Sequence, residues 1–404
     1  MLLKISWRNI WRNKMRSLVI MLSVAIGLFA GIMVLAIYKG VMRSRIKTVI
    51  YAETGHIQIH DTSFKKDYEP GFTIRNGVSI VNEIQKYPEI KTVATRTITM
   101  GMLSTTTGSS GIQINGVIPE QEHLASQLNQ KINEGAGFNP NKHHEVLIGK
   151  KLAKKMKLQM GSKLVLTCTD SSNNIIASAF RVAAIYESDN APLDEKNVYI
   201  RQTELNEMLG IGKEFHEIVV LLHKDEALEQ VEKKLKDQYP NYLTENWKII
   251  SPETDLMVGT VDITSYIIMA IILFALAFGI INTMLMGILE RTKEIGMMMA
   301  LGMNRLKLFI LVLMETFFLT ITGAPIGLFI SWGVTGYYNT HGINWSSRGK
   351  EMMSSFGFNT TIYPEFPDEK IMMTLFFVVL TAMLSCIYPA MKALKLKPVD
   401  ALRK

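Results

Sequence analysis

The amino-acid sequence predicts an α-helical membrane protein with four transmembrane helices and a large, mixed α/β extracytoplasmic domain inserted between the first and second spans. Three observations indicate this fold class: four long and charge-poor apolar stretches, a long intervening stretch that alternates strand and helix patterns, and basic residues beside the apolar stretches. The composition agrees. With 48% hydrophobic and 20% charged residues, the chain is too apolar for an ordinary soluble protein and too polar to lie wholly in a bilayer.

The four apolar stretches have the length that a bilayer demands. A helix needs about 20 largely apolar residues to cross about 30 Å of hydrocarbon, and such stretches lie at 17–39, 263–289, 308–338 and 371–391. A cleaved signal peptide is an alternative for the first. Its apolar run exceeds the usual roughly 7–15 residues, however, and no small-residue cleavage site follows it. We therefore predict that it stays as a membrane anchor.

Basic flanks predict the orientation of these spans. Lys and Arg cluster at 1–16, which reads as an interfacial helix, at 290–305 and in the tail 392–404, and such clusters mark the cytoplasmic side. Both termini are then cytoplasmic, whereas residues 40–262 and the loop 339–369 are periplasmic. Because these clusters account for the net charge of +8, the charge indicates membrane topology rather than a nucleic-acid partner.

Residues 40–262 carry the patterns of an α/β domain. GHIQIHD (55–61) alternates apolar and polar residues as a strand does, and VSIVNEIQKYPEI (78–90) has helical spacing. Further strand and helix patterns follow a break at 135–141 that is rich in Gly, Asn and Pro. We predict two α/β lobes, the second of which, at roughly 120–213, is inserted into the first.

Motifs for catalysis or metal binding are sparse. His56, Gln58 and His60 would share one strand face, but a zinc site needs further ligands, so solvent-facing histidines are the favoured interpretation and no metal ligands are predicted. We find no zincin, Cys-x-x-Cys, Ser-centred or phosphate-loop motif in the sequence. We therefore predict that the chain is not an enzyme, with no catalytic residues and no cofactor of its own.

Three separated motifs resemble those of a known family. WRNIWRNKMR (7–16), ERTKEIGMMMALGMNRLKLFILVLMETFFLTITGAPIGL (290–328) and YPAMKALKLKPVDALRK (388–404) are similar to signatures of the MacB- and FtsX-type ABC transporter permeases. The resemblance implies a MacB-like periplasmic core domain and an FtsX-like permease region at roughly 263–398. Within the family, GHIQIHD, INGVIPEQE and VLIGKKLAKKMKLQMGSKLVL look most like the lipoprotein-releasing LolC and LolE branch.

The resemblance also assigns a role to residues 290–305, as the coupling helix on which a separate ATPase docks. The segment combines a polar turn, with carboxylates expected near a helix N-terminus, and a Met-rich apolar surface suited to a partner groove. We expect Gly302 to end its helix and Asn304 to start the next. An ordinary interfacial turn, whose cations only set topology, is the alternative. The residues expected to couple to the ATPase are Glu290, Arg291, Glu294, Ile295, Gly296, Met298, Leu301 and Gly302.

Glu315 lies inside the third apolar stretch. An acid within hydrocarbon is costly, so it should face the helix bundle and be bonded there, and a structural acid is favoured over a proton relay. In the same stretch, Gly323, Pro325 and Gly327 predict a close helix contact or a kink.

Two further sets of residues concern the membrane. Aromatic and basic side chains at helical spacing predict a membrane-interface anchor made of Trp7, Arg8, Trp11 and Arg12. From the family likeness, contact with acyl chains is expected at Phe29, Met33 and Ile268.

The function implied by the resemblance is that of a permease subunit in a bacterial inner-membrane ABC transporter, which works by mechanotransmission and releases lipoproteins toward a periplasmic carrier. MacB-like efflux of peptides or drugs, an FtsX-like regulator of cell-wall hydrolysis and a receptor without an ATPase are the alternatives. The implied partners are two copies of an ATPase subunit that binds ATP and Mg, a second permease, identical or homologous, membrane lipid, and a lipoprotein carrier or an efflux adaptor.

Overall fold

The structure, a computed structural model, describes residues 2–12, 14–188, 190–344 and 347–394. These residues form two compact units. The helical unit contains the described residues within Met1–Met42, Gly259–Ile343 and Ile362–Lys404, and the sheet unit contains those within Arg43–Val258 and Asn344–Thr361. The predicted tail lies outside the described residues from position 395 onward.

Both units are built from regular elements. In chain order the helices are α1 (Leu2–Arg12), α2 (Lys14–Thr48), α3 (Phe64–Asp67), α4 (Gly77–Ile84), α5 (Pro119–Ser126), α6 (Lys150–Met156), α7 (Ala191–Lys196), α8 (Gln202–Leu209), α9 (Leu228–Gln238), α10 (Trp247–Ile250), α11 (Pro252–Gly259), α12 (Val261–Glu290), α13 (Thr292–Ala300), α14 (Arg305–His341), α15 (Ser347–Ser355) and α16 (Asp368–Leu394). The strands are β1 (Ile57–Asp61), β2 (Ile90–Thr105), β3 (Gly108–Val117), β4 (Ile132–Gly135), β5 (Glu145–Gly149), β6 (Lys163–Thr169), β7 (Ile175–Tyr186), β8 (Asn197–Arg201), β9 (Glu217–Leu222), β10 (Tyr242–Asn246), β11 (Ile343–Asn344) and β12 (Thr361–Ile362). A π-helical turn, Val49–Thr54, follows α2.

Among the described residues, four helical segments are long and apolar enough to cross a membrane. They are Ser17–Thr54, Pro252–Glu290, Arg305–His341 and Asp368–Leu394. Each contains one of the four stretches predicted from the sequence and continues beyond it, because backbone hydrogen bonding does not stop where the apolar side chains stop.

Glycines allow the closest helix contacts of the helical unit. A Cβ added to Gly323 would lie 2.8 Å from the carbonyl oxygen of Met21, and one added to Gly327 would lie 2.6 Å from that of Ala25. No side chain fits at such distances, so α14 and α2 approach this closely only because both residues are glycine. The predicted close contact is confirmed, and α14 continues as a helix through Pro325.

The sheet unit is organised around one ten-stranded sheet. The strand order is β10–β1–β9–β2–β3–β8–β5–β7–β4, and β6 pairs with both β2 and β7. Most neighbours are antiparallel, whereas β3 runs parallel to β8, and β5 to β7. The short strands β11 and β12 pair separately.

Two main hydrophobic cores pack against this sheet. One includes Ile59 and Val93, and the other includes Leu103 and Phe180. Because β2 is 16 residues long, it contributes to both cores. The second core also includes Ile112 and Ile114, which precede residue 120, and all of these strands belong to one continuous sheet. The lobe bounds of roughly 120–213 stay a prediction.

The predicted loop 339–369 is partly ordered into elements. It includes α15 and the two short strands β11 and β12. Residues Asn344–Thr361 group with the sheet unit, whereas Ile362 and the residues after it group with the helical unit.

Candidate coupling site

The segment between α12 and α14 is a short helix, α13, with a sharp joint at each end. Gly302 has a φ of +87°, a left-handed conformation that glycine adopts without strain, and it terminates the helical path. Asn304 begins α14, because its side chain accepts a hydrogen bond from the backbone N–H of Leu306 at 3.3 Å. The helix stop and the helix start expected at these residues both agree with the structure.

A chain of charged side chains ties α13 to two neighbouring helices. Arg291 donates from Nε to Glu294 Oε2 at 2.8 Å and from Nη1 to Glu315 Oε1 at 3.2 Å. Glu294 also accepts a hydrogen bond from Arg12 of α1. Four charged groups therefore connect α1, the start of α13 and α14 within the helical unit.

The inner part of this chain is buried and the outer part is not. The side chains of Arg291 and Glu315 are 11% and 6% exposed, so removal of either one would leave a buried charge without this partner, at a cost of about 3–5 kcal/mol. Arg12 and Glu294 are about half exposed, and water screens their attraction strongly. The strength of the connection therefore lies between Arg291 and α14.

Glu294 is held in its ionised form by its neighbours. Partial burial alone would raise the pKa of this carboxyl, but hydrogen bonding and charge from Arg291, with a further contribution from Arg12, lower the pKa below its ordinary value. The ion pairs therefore persist at neutral pH.

Glu315 matches the expectation that an acid in an apolar stretch faces inward. The residue is 5% exposed and accepts from Arg291. The sequence indicated that such an acid must be bonded, but it did not identify this partner. Arg291 precedes α13 whereas Glu315 lies well inside α14, and only the turn between α12 and α14 brings them together.

α13 has one face toward the helical core and one toward the outside. Ile295 and Gly296, predicted to belong to the partner-facing surface, are buried in this unit instead, and Met298 packs partly against its core. The side chains of Met297 and Leu301 are 54% and 84% exposed. A helix of this length places only a third to a half of its apolar residues on either face, so the exposed apolar surface is smaller than the sequence suggested.

Glu290 and Glu294 lie at opposite kinds of helix end, whereas both carboxylates were expected near a helix N-terminus. Glu294 lies in the first turn of α13, where the helix dipole favours a carboxylate, but Glu290 is the last residue of α12. A carboxylate at a C-terminus opposes the dipole. The polar turn is therefore the joint between two helices and not the start of one.

The predicted interface anchor also makes contacts inside the helical unit. The ring of Trp7 lies 5.6 Å from the ring of Phe318 in an edge-on arrangement, so it joins α1 to α14. Trp11 is 55% exposed and Arg8 is exposed. Arg12 contacts Glu294, so the anchor helix and the coupling segment are directly linked.

The residues expected to contact an acyl chain are half-buried on α2 and α12, namely Phe29, Met33 and Ile268. Met33 faces α14, since its sulfur accepts a hydrogen bond from Thr335 Oγ1 at 3.8 Å. The cavity between α2, α12 and α16 measures only about 10 Å³, room for one water at most. An acyl chain therefore does not fit in this cavity, which none of the three residues lines.

The prediction of solvent-facing histidines in the sheet unit is wrong. His56 and His60 are each 1% exposed. His56 accepts at Nδ1 from the Leu222 N–H and pairs through Nε2 with Asp225 at 3.0 Å, and burial lowers its pKa despite the attraction of that carboxylate. Strand alternation shows which residues share a face, but not what covers that face. Among the described residues, no group of three or more His, Cys, Asp or Glu is arranged to hold a metal ion.

Comparison with known families agrees with this architecture. The MacB-like periplasmic core domain model matches residues 17–238, and the FtsX-like permease C-terminal model matches residues 266–398. This chain belongs to the MacB/FtsX family of ABC transporter permeases. The second match contains the whole of the candidate coupling site except Arg12.

Individual relatives within this family differ in length. The chain is 24% identical over 353 residues to the macrolide export ATP-binding/permease protein MacB of Campylobacter jejuni, covering 83% of this chain but only 54% of that protein. It therefore spans about half the length of that relative. It is 21% identical over 422 residues to the lipoprotein-releasing system transmembrane protein LolE of Haemophilus influenzae, covering 98% of each. The crystal structure of the periplasmic region of MacB from Actinobacillus actinomycetemcomitans aligns with 52% of this chain at 14% identity and a TM-score of 0.36.

Proposed function

We propose that this chain is the membrane subunit of an ATP-driven transporter and that α13 is the point at which an ATPase acts on it. The observation that carries the proposal is the chain of ion pairs that runs from α13 to α14 through Arg291 and Glu315. α13 exposes apolar side chains on one face, and its first turn is tied to α14 through Glu294 and the preceding Arg291. Such a helix can receive a displacement from a partner and transmit it. The exposed face is formed by Lys293, Met297, Ala300 and Leu301.

Transmission follows from the unequal strength of the two connections. When the ATPase displaces α13, the buried Arg291–Glu315 pair holds it to α14, because breaking that pair costs several kcal/mol. The exposed Arg12–Glu294 pair can open and close at little cost. α14 in turn contacts α2 through Gly323 and Gly327, so its motion reaches the helix whose sequence continues into the sheet unit. A displacement of α13 thus moves α14 and α2, although no substrate passes through the helix bundle. This mechanism is called mechanotransmission.

The ATPase is proposed to be a separate subunit. The likeness to LolE, which is named as a transmembrane protein of a lipoprotein-releasing system, supports this proposal, whereas the MacB relative is named as an ATP-binding/permease protein. Two ATPase copies, which bind ATP and Mg, would act on this chain and on a second permease, identical or homologous, in the bacterial inner membrane. Both termini and α13 would face the cytoplasm, and the sheet unit would face the periplasm, as the basic flanks predict.

Lipoproteins are the proposed substrate, released from the membrane toward a periplasmic carrier. The match with a protein named LolE, which covers 98% of both chains, supports this choice, and the match with MacB supports macrolide export as the alternative. Lipid contact is proposed at Phe29, Met33 and Ile268, which are partly exposed and do not line the small cavity among α2, α12 and α16.

Reconstitution tests this function directly. Vesicles that contain the chain, its copurifying ATPase subunit and a fluorescent lipoprotein should release the lipoprotein to an added carrier only when ATP is present. Glu294→Lys should leave the chain inserted but reduce release, since it replaces the carboxylate that both arginines contact. Export of a macrolide or peptide with no release of lipoprotein would instead support the MacB-like function, and stimulation of a cell-wall hydrolase without transport would support the FtsX-like one.

A further inference from the structure

The sheet unit contains a polar cavity on one face of its large sheet. Register places Gln58 beside Glu245, and Glu217 beside both His60 and Arg96. Directly paired residues project to the same side of a sheet, so these side chains gather on one face. The cavity in front of them measures about 400 Å³, within the roughly 300–1,000 Å³ of sites for small molecules.

The cations of this cavity are already paired with carboxylates. Arg96 contacts Glu122 at 2.7 Å and Glu217 at 3.2 Å, and Lys65 contacts Glu245 at 2.5 Å. A charged ligand would have to break a pair that is largely removed from water, which leaves a buried charge behind. The cavity therefore favours a ligand with no net charge.

One buried polar atom in the cavity wall lacks a partner. His60 pairs through Nε2 with Glu217 Oε2 at 2.9 Å, and its side chain is 2% exposed. Its Nδ1 has no hydrogen-bond partner among the described residues. Nδ1 of an imidazole takes part in a hydrogen bond either as donor or as acceptor, and a buried polar atom without a partner is unfavourable. A ligand group that can both donate and accept would remove this deficit.

The remaining wall combines amides with apolar surface. Gln58, Gln113, Asn115 and Asn197 line the cavity. The last three are hydrogen-bonded to one another in a row, and each amide oxygen has two lone pairs, so it can also accept from a ligand. Tyr68, Tyr199, Ile98 and Ile249 supply aromatic and aliphatic surface in the same cavity. A hydroxyl group matches the first set, because it also donates and accepts, and the C–H face of a sugar ring matches the second.

We propose that this cavity binds a neutral, polyhydroxylated ligand, that is, one or two rings of an uncharged saccharide. A ring hydroxyl forms a hydrogen bond with His60 Nδ1, neighbouring hydroxyls exchange hydrogen bonds with the amides, and the apolar ring face packs on tyrosine and isoleucine. This inference does not rest on the proposed transport function, since every lining residue belongs to the sheet unit.

The test is calorimetric titration of the full chain in lipid nanodiscs. Maltoside detergents are avoided because their sugar headgroups would compete with the saccharide probes. Maltose and N-acetylglucosamine are the neutral probes, glucuronate and glucosamine the charged ones, and N-acetylglycylglycinamide is a neutral amide without hydroxyls. At least one neutral saccharide should bind saturably, and at least about tenfold more tightly than the charged sugars and the dipeptide amide.

Three variants locate the binding. Gln58→Leu and His60→Phe should each weaken the bound saccharide at least about tenfold, since each removes hydrogen-bonding groups from the wall and preserves much of the side-chain volume. Gln130→Leu, an exposed glutamine outside the cavity, should bind as the parent does. Thermal unfolding of each variant establishes that it is folded, and retained binding in both folded cavity variants overturns the proposal. If neither neutral saccharide binds saturably, the cavity holds water only and the proposal is overturned. Binding of the dipeptide amide as tight as that of the saccharides also overturns it.

Discussion

Arg291 is the residue on which the candidate coupling site depends, because its guanidinium reaches two carboxylates on two helices. The planar fork of arginine donates in fixed directions, and here Nε serves Glu294 while Nη1 serves Glu315. A lysine would offer a single ammonium and could not hold both geometries. The identity of this side chain is therefore as important as its charge.

A charge exchange tests this pair. Arg291→Glu or Glu315→Arg alone should reduce ATP-dependent lipoprotein release at least about tenfold, because each places like charges together at a buried position, at a cost of about 3–5 kcal/mol. The double exchange should recover part of the activity, and ATP hydrolysis and release are measured together in vesicles. Lys150→Glu, which disrupts the half-exposed Lys150–Glu187 pair of the sheet unit, is the control and should change neither. Full activity in both single variants would show that the Arg291–Glu315 ion pair is not required for lipoprotein release.

A buried carboxyl in the sheet unit makes a second prediction. Burial raises the pKa of Asp194 to about 7, although Ser188 donates two hydrogen bonds to it, whereas an unfolded aspartate has a pKa of about 3.9. Because the folded state prefers the protonated form, the stability that this group contributes is present below about pH 4 and is lost as the pH rises through 7.

Asp194→Asn should therefore raise thermal stability at pH 8, by on the order of 2 kcal/mol, and should have little effect at pH 4. Unfolding curves at the two pH values measure the difference. Asp237→Asn, at an exposed position of α9, should shift neither curve. If Asp194→Asn lowers stability equally at both pH values, the carboxyl is ionised in the folded state.

At the scale of elements, the contact between α2 and α14 depends on two glycines one turn apart. Gly323 and Gly327 place the α14 backbone directly against the carbonyl groups of Met21 and Ala25. In a membrane, where the hydrophobic effect does not drive helices together, such close packing supplies much of the attraction. This contact is also the route by which motion of α14 would reach α2.

Valine at either position should force these helices apart. We expect Gly323→Val and Gly327→Val each to destabilise the helical unit by about 1–3 kcal/mol, seen as a lower unfolding temperature in detergent and a lower yield of folded protein. Gly333→Val is the matched control, because a Cβ at Gly333 meets no atom within 4 Å. A control that is as unstable as the two variants would attribute the loss to β-branching and not to the contact.

In the molecule as a whole, the helical unit has an exposed apolar face on α13, whereas the sheet unit matches the periplasmic core domain model. Leu301 is 84% exposed beside charged residues of the same segment. Exposed apolar side chains that are surrounded by charged residues are common at protein–protein docking sites. The proposed ATPase would bury this face.

Copurification after gentle solubilisation tests whether an ATPase subunit docks on α13. An ATP-binding subunit should copurify with the parent chain, and the double variant Met297→Asp, Leu301→Asp should lose at least about 90% of it, because two carboxylates would be desolvated at the interface. Leu124→Asp, at an exposed leucine of the sheet unit, should retain the subunit. If the parent chain copurifies with no ATP-binding subunit under conditions in which it remains folded, the proposed function fails.

Prediction from the sequence succeeded where the signal is local. Hydropathy located the four membrane-length helices, and the left-handed preference of Gly302 and the capping side chain of Asn304 located the ends around α13. The sequence also indicated that Glu315 is bonded inside the bundle, because any acid in hydrocarbon must be. The sequence could not identify Arg291 as the partner of Glu315, nor pair Arg12 with Glu294. Arg12 and Glu294 are 282 positions apart, and a local sequence pattern contains no information about such a distant contact.

Spacing and composition along the chain establish the class of protein, because they reveal membrane-length helices, a large α/β region and the signatures of a permease family. Which face of each element is covered depends on how the elements pack. The tertiary structure placed Ile295 inward and Leu301 outward on one short helix, buried His56 and His60, and joined two predicted lobes through the long strand β2. The physical reason is that periodicity groups side chains onto a face, whereas burial, ion pairing and a cavity arise only when distant segments pack against that face.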